Sequence, residues 1–305
     1  MNDQAYEIFK IDPLHVIRQL DAMPFKEMLL LVTAGVLFVV AVIVIITRLI
    51  RGKNVPPISE GAALANDMNA AIYGLILAFL VVSMYDTNRK VEESIAEEAN
   101  TLVAILYTSQ VLDNADQIRA EIKNYTRTVV EVQWPLMRSG NLDAAWKLSP
   151  KLLGPLYKTI QEAKPVGAAQ DHCYDKLPEM LRDLDNAHRS RLTQADIHLP
   201  VQFWRVILLM TILALWFLAY MNPWTGLSSI IPIIIPGVVI ALSFSLLISL
   251  HYPFLGPFSV SNEPYSRGAL DFSASESSRS VDKMPSANAT PMDSLSSNNV
   301  LPVIQ

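Results

Sequence analysis

Between Arg205 and Glu263 the chain carries no Asp, Glu, Lys or Arg. A membrane-crossing helix needs about 20 consecutive apolar residues, and this stretch holds two, divided near Asn222-Pro223-Trp224-Thr225-Gly226. Two more apolar runs lie upstream. One spans Met28 to Ile46 and the other Met68 to Tyr85, each bounded but not interrupted by charge. The pattern is therefore two spans, a long polar insert and two spans. Hydrocarbon cannot satisfy exposed backbone groups, so runs of this length enter it as helices. The fold class is an all-α membrane protein with four transmembrane helices, two plus two, and a helical cytoplasmic domain between spans 2 and 3.

Composition agrees. Hydrophobic residues make up 51%, charged residues 17%, and mean hydropathy is +0.29. A net charge of −5 gives no reason to expect nucleic-acid binding. Cys173 is alone, so no intrachain disulfide can form. The N-terminal run is too long and too far from the start for a cleavable signal. Basic residues close to the spans gather on the insert side, at Lys26, Arg89, Lys90, Arg189, Arg191 and Arg205, and the loop 221–229 has none. That bias places the insert and both termini inside, against a minor conflict from Arg48, Arg51 and Lys53. The expected setting is a bacterial inner membrane, with the lipid bilayer as one partner.

Five segments follow. Residues 1–27 form an N-terminal amphipathic segment, with Ile8, Ile11, Val16, Ile17 and Leu20 on one face and a start near Asp12-Pro13. Residues 28–85 hold spans 1 and 2. Residues 86–200 are the helical domain, 201–258 hold spans 3 and 4, and 259–305 form a C-terminal segment. The Ser-, Asn- and Pro-rich composition from about residue 273 predicts disorder. No Gly or Pro separates span 2 from the apolar period Val91, Ile95, Leu102, Ile105, so one long rod is expected to leave the membrane. A second helix is expected over 118–137 and a break at Lys164-Pro165-Val166-Gly167.

Chemistry-bearing motifs are few. There is no phosphate loop, nucleophile elbow or zinc-protease signature, so no catalytic residue, metal ligand or cofactor is assigned and the chain is read as a non-enzyme. Glu92, Glu93 and Glu97 read as a solvated face. Glu98 falls on the apolar stripe between Ile95 and Leu102, and a carboxylate there needs a partner. Arg119, Tyr125 and Arg127 are the candidates. Span 2 carries two stripes about 200° apart. Ala70, Gly74 and Ala78 repeat at i+4, a small-residue packing face. Asn66, Asn69, Tyr73, Ile76, Leu80 and Ser83 are polar at both ends and apolar in the middle, as a pore with a hydrophobic constriction requires. Internal packing would use the same residues.

The chain resembles the bestrophin-like domain family. Three pieces carry the likeness: Ala78-Phe79 through Glu98-Ala99 with Leu102 and Tyr107; Tyr125 followed by Gln133-Trp134-Pro135; and Arg191 to Trp204 with His251-Tyr252-Pro253-Phe254-Leu255-Gly256-Pro257-Phe258-Ser259-Val260-Ser261. Gln133 stands where a Glu is expected, and His251-Tyr252 replaces an Asp-containing pair. The resemblance implies four spans and a helical domain. By analogy with true bestrophins it implies a homo-oligomer, a pentamer, conducting inorganic ions along span 2. Arg89 and Lys90, nearer the pore exit than the glutamates, incline the reading toward anions. The competing reading is a non-conducting scaffold or signalling subunit that recruits a partner through the helical domain.

Overall fold

A computed structural model describes residues 13–51, 60–197, 199–221 and 231–272. Among these, 86% are helical and none lies in a strand. The described residues hold nine α-helices: α1 (Pro13–Asp21), α2 (Phe25–Arg51), α3 (Glu60–Thr108), α4 (Ala115–Thr128), α5 (Trp134–Arg138), α6 (Leu142–Gln161), α7 (Ala168–Ala195), α8 (Val201–Met221) and α9 (Ile231–Ser249). The chain to Leu270 is one compact unit.

Among the described residues four helices are long and apolar enough to cross a membrane: α2, α3, α8 and α9. The chain is an integral membrane protein by that measure. Helix α2 packs on α9 and α8, and α3 packs on α8. Their shared core joins Val40 and Ile43 of α2, Tyr73, Leu77, Leu80 and Met84 of α3, Ile207 and Leu215 of α8, and Ile240 and Phe244 of α9. Gly237 permits the α2–α9 approach, since a Cβ there would sit 3.2 Å from Val40 Cγ2. Pro236 lies inside α9, where membrane helices tolerate it because neighbours re-satisfy the freed backbone.

Helix α3 is the expected rod. It has 49 residues, and at 1.5 Å per residue it is about 74 Å long. A hydrocarbon core takes about 30 Å of that. The polar remainder packs along α7 and buries Val91, Ile95, Leu102 and Ile105. Surface ion pairs at i+3 and i+4 line the exit: Asp86 with Arg89 (3.2 Å) and Lys90 (2.8 Å), and Arg89 with Glu93 (2.6 Å).

The expected helix over 118–137 is continuous but contains a π turn, Val129–Gln133. Pro135 has no N–H to give to the carbonyl four residues back, and its ring crowds that oxygen. A wider turn accommodates it. The break before α7 falls at Gly167, whose φ of +92° suits glycine. Helix α1 buries Ile17, and Asp12 before it lies outside the described residues. Ile8, Ile11, the turn after Met221 and the tail from 273 lie outside the described residues.

Candidate functional site

The apolar half of α3 has two unlike faces. Tyr73, Leu77, Leu80 and Met84 are buried in the four-helix core, and Tyr73 Oη lies 2.7 Å from Thr211 Oγ1 on α8. The opposite face is bare. Leu75 is 72% exposed, Phe79 70% and Val82 65%. Met68, Ile72, Leu75, Phe79 and Val82 alternate at i+4 and i+3, the spacing of a helix seam. Gly74 has nothing within 4 Å of its would-be Cβ, and Ala70, Gly74 and Ala78 are all exposed among the described residues.

The stripe predicted to line a pore is thus divided. Tyr73 and Leu80 point into the protomer core, Ile76 is 38% exposed at the edge of the bare face, and Asn69 is exposed. Asn66 and Ser83 are half-buried. Asn66, Asn69, Tyr73, Ala70, Gly74 and Ala78 line one wall of an apolar groove of about 500 Å³, with α8 and α9 opposite. At about 100° per residue, Leu80 follows Tyr73 and Leu77 round to the core. The physical reason for the division is that Tyr73, Leu77, Leu80 and Met84 form the stripe that α8 and α9 cover.

Twelve residues past Asp86, about 18 Å along the rod, sits Glu98. It is fully buried, as are Arg191 and His188 of α7 and Gln133 of the π turn. Arg191 grips the carboxylate in a fork, Nε to Oε2 at 2.7 Å and Nη2 to Oε1 at 3.2 Å. Tyr125 donates its hydroxyl to Oε1 at 2.5 Å. His188 Nδ1 lies 2.8 Å from Tyr125 Oη and 3.3 Å from Glu98 Oε1, and its Nε2 lies 2.8 Å from Ser149 Oγ. Arg191 Nη2 also donates to Gln133 Oε1 at 2.7 Å, and Gln133 Nε2 donates to the Ala145 carbonyl at 3.0 Å. The guanidinium sits over the Tyr265 ring, 5.8 Å from its centroid, and Trp134 packs edge-on against Tyr265 and Phe254.

Burial alone would push Glu98 up. Arg191 and then His188 outweigh it and hold the carboxyl below the usual range. Burial, reinforced by Glu98, pushes the Tyr125 hydroxyl well above its ordinary value. A neutral Gln133 fits this balance: a carboxylate there would give one buried guanidinium two negative partners. The cluster ties α3, α4, the π turn, α6 and α7 into one body. It also forms a connected path of polar groups from Ser149, on the wall of an open groove with Asp185 and Arg189, to the rod.

Of the three expected partners of Glu98, Tyr125 is found. Arg127 instead pairs with Glu131 at the surface. The dominant partner, Arg191, and His188 were missed. Their signal was a three-residue spacing on one helix face within a stretch of apolar period, but nothing in a linear sequence pairs that face with Glu98. His251 is buried, with its ring 5.5 Å from Trp204 and 4.6 Å from Tyr252.

The sequence model of the Bestrophin-like domain family matches residues 33–265. That range covers most of α2 and the chain onward through α9, the buried cluster and Tyr265. No curated protein and no solved structure matches the chain.

Proposed function

The chain belongs to the bestrophin-like domain family, and from that premise we propose that it forms a homo-oligomeric ion channel of a bacterial inner membrane, five subunits around an axis lined by α3. The observation that carries this reading is the bare face of α3. A helix otherwise packed in its own bundle leaves one seam of large apolar residues and one flanking stripe of small ones unpartnered. In a ring of α3 helices the Ala70/Gly74/Ala78 flank meets a neighbouring subunit, where small residues allow close approach. Ile72, Leu75, Phe79 and Val82 then face the axis as a hydrophobic constriction that gates by excluding water. Ile76 and Ser83 border that face. Leu80 supports the helix from behind.

In this reading both termini and the helical domain are cytoplasmic, and the chain acts as a channel rather than as an enzyme. Arg89 and Lys90 are paired with Asp86 and Glu93, so their charge is locally balanced, and the lean toward anions rests on the family resemblance alone.

The test is recording of purified protein in planar bilayers. Phe79→Ala should raise basal current by widening and wetting the ring, while Leu80→Ala should lower stability without opening the pore. Reversal potentials in asymmetric salt give the sign of the permeant ion. If the unmodified protein and Phe79→Ala are equally silent across voltage, pH and calcium, the channel reading fails and the scaffold reading takes its place.

A further inference from the structure

A second site lies where the polar domain meets the membrane bundle. A cavity of about 230 Å³ is walled by Arg18 of α1, Arg138 of α5, Gly140, Leu142, Asp196 and the segment Tyr252–Leu255 after α9. Most of its walls enter or leave a span: α1 precedes α2, Asp196 follows α7 just before α8, and Tyr252 follows α9. The place is therefore the depth at which lipid headgroups sit.

Three features favour an anion there. Arg18 is half-buried and held in place, its Nη2 donating to the Ser139 carbonyl. Gly140 makes room for it: at φ +74° a Cβ would lie 2.7–2.8 Å from the Arg18 guanidinium. Among the described residues one fork nitrogen is used, which leaves the others to a bidentate acceptor. Arg138 is exposed, and no hydrogen bond or ion pair engages it among the described residues. Leu142 is the first residue of the 20-residue helix α6, so backbone N–H groups and the positive end of its dipole lie at the cavity wall. Asn141 caps only the Ala144 N–H. The opposing carboxylate is Asp196 at the wall, with Asp143 in the first turn of α6.

We infer that this cavity binds the phosphate headgroup of an anionic phospholipid through Arg18, Arg138 and the N-terminus of α6. A volume of about 230 Å³ is below the range of drug-sized ligand pockets, about 300–1,000 Å³, and suits a small polar head. On its other side α1 borders an apolar groove of about 480 Å³ between Val16, Ile17, Leu20, Val36, Trp204 and Phe244, the kind of surface an acyl chain covers. That favours a lipid over free phosphate. The inference does not depend on conduction.

The test is native mass spectrometry and a binding titration of the full chain in detergent, with phosphatidylglycerol, phosphatidylcholine and inorganic phosphate. Phosphatidylglycerol should bind at least tenfold tighter than phosphatidylcholine, and Arg138→Gln should remove most of that preference, since a bidentate charge-assisted contact accounts for about a tenfold change. Arg138 is exposed, so its loss should leave the melting temperature unchanged. Arg18→Lys, which keeps charge but loses the fork, should weaken binding less than Arg138→Gln combined with Arg18→Gln. Equal affinity for the two lipids, or full preference in Arg138→Gln, overturns the site. Saturation by inorganic phosphate with no displacement by phosphatidylglycerol overturns the lipid assignment.

Discussion

Removing Arg191 should reverse the way this protein responds to acid. In the native protein Glu98 is fully buried and its carboxyl is held below its ordinary value of 4.5 by Arg191 and His188 against the cost of burial. A depressed carboxyl contributes stability that is complete above 4.5 and fades as pH falls further. Arg191→Met keeps most of the volume and removes three of the hydrogen bonds that hold the cluster, two to Glu98 and one to Gln133. Breaking one side of a buried ion pair costs about 3–5 kcal/mol, because the other charge is left uncompensated. Without Arg191, burial is the larger influence on Glu98, and the orphaned carboxyl then prefers a proton. The folded variant therefore binds a proton more tightly than the unfolded chain does, and its stability rises as pH falls from neutrality toward 4.5, the ordinary value of the carboxyl. Glu98→Gln combined with Arg191→Met leaves no buried charge and should be at least about 2 kcal/mol less costly than the sum of the single changes. Thermal melts of purified protein in detergent, at four or five pH values, read all of this. If Arg191→Met loses stability on acidification as the native protein does, or if the two substitutions are additive, the cluster is not an electrostatic clamp.

Asp21 behaves oppositely. It is fully buried with neither carboxylate oxygen hydrogen-bonded, and burial pushes it up to about 8. A raised carboxyl costs stability as pH climbs from 3.8 toward 8, up to about 4 kcal/mol at pH 7, so Asp21→Asn should raise the melting temperature at pH 7–8 and leave it unchanged near pH 3.5. An unchanged melt at both ends would place Asp21 in solvent. Gly256 holds φ +80° and a Cβ there would overlap Asp21 Oδ1; Gly256→Ala should lower stability by about 1–3 kcal/mol or more, and by less in an Asp21→Ala background. Gly74→Leu, in open space within one protomer, should leave the melt of the monomer unaltered while breaking the proposed oligomer, with native mass spectrometry as the readout, and an intact pentamer in the variant would remove this face from the interface.

The features legible in the sequence were those whose cause is local. Charge-free runs fixed the spans, because transfer into hydrocarbon is decided residue by residue. The rod followed from an unbroken helical period through Asp86, where nothing forces a stop. Glu98 stood out because one carboxylate broke an apolar stripe. Its partners did not, because Arg191 is 93 residues away and a charged residue on a polar helix such as α7 looks the same whether it faces water or a buried acid. The span-2 stripes failed in a different way. Periodicity gives the faces of a helix but not which face its own protomer covers, so Tyr73 and Leu80 were grouped with Ile76 although α8 and α9 bury the first two. The π turn escaped notice because a single widened turn leaves the apolar period nearly intact on either side.

These pieces meet in one element. Helix α3 is the single piece of backbone that carries both the bare apolar seam and Glu98, with no glycine or proline between Gly74 and Thr108 to act as a hinge. A rigid helix transmits rotation and translation with little loss, and a bistable contact at one end can bias the other. The cluster anchors the rod through α7, so a change in charge at Glu98, Arg191 or His188 alters the restraint on how Phe79 and Val82 present themselves to whatever lies opposite. Coupling of this kind is a free energy and must be reciprocal. If Phe79→Ala changes the state of the pore, it should also shift the acid transition of the Glu98 cluster. A cluster that titrates identically in Phe79→Ala and in the native protein would show that the two ends of α3 act independently.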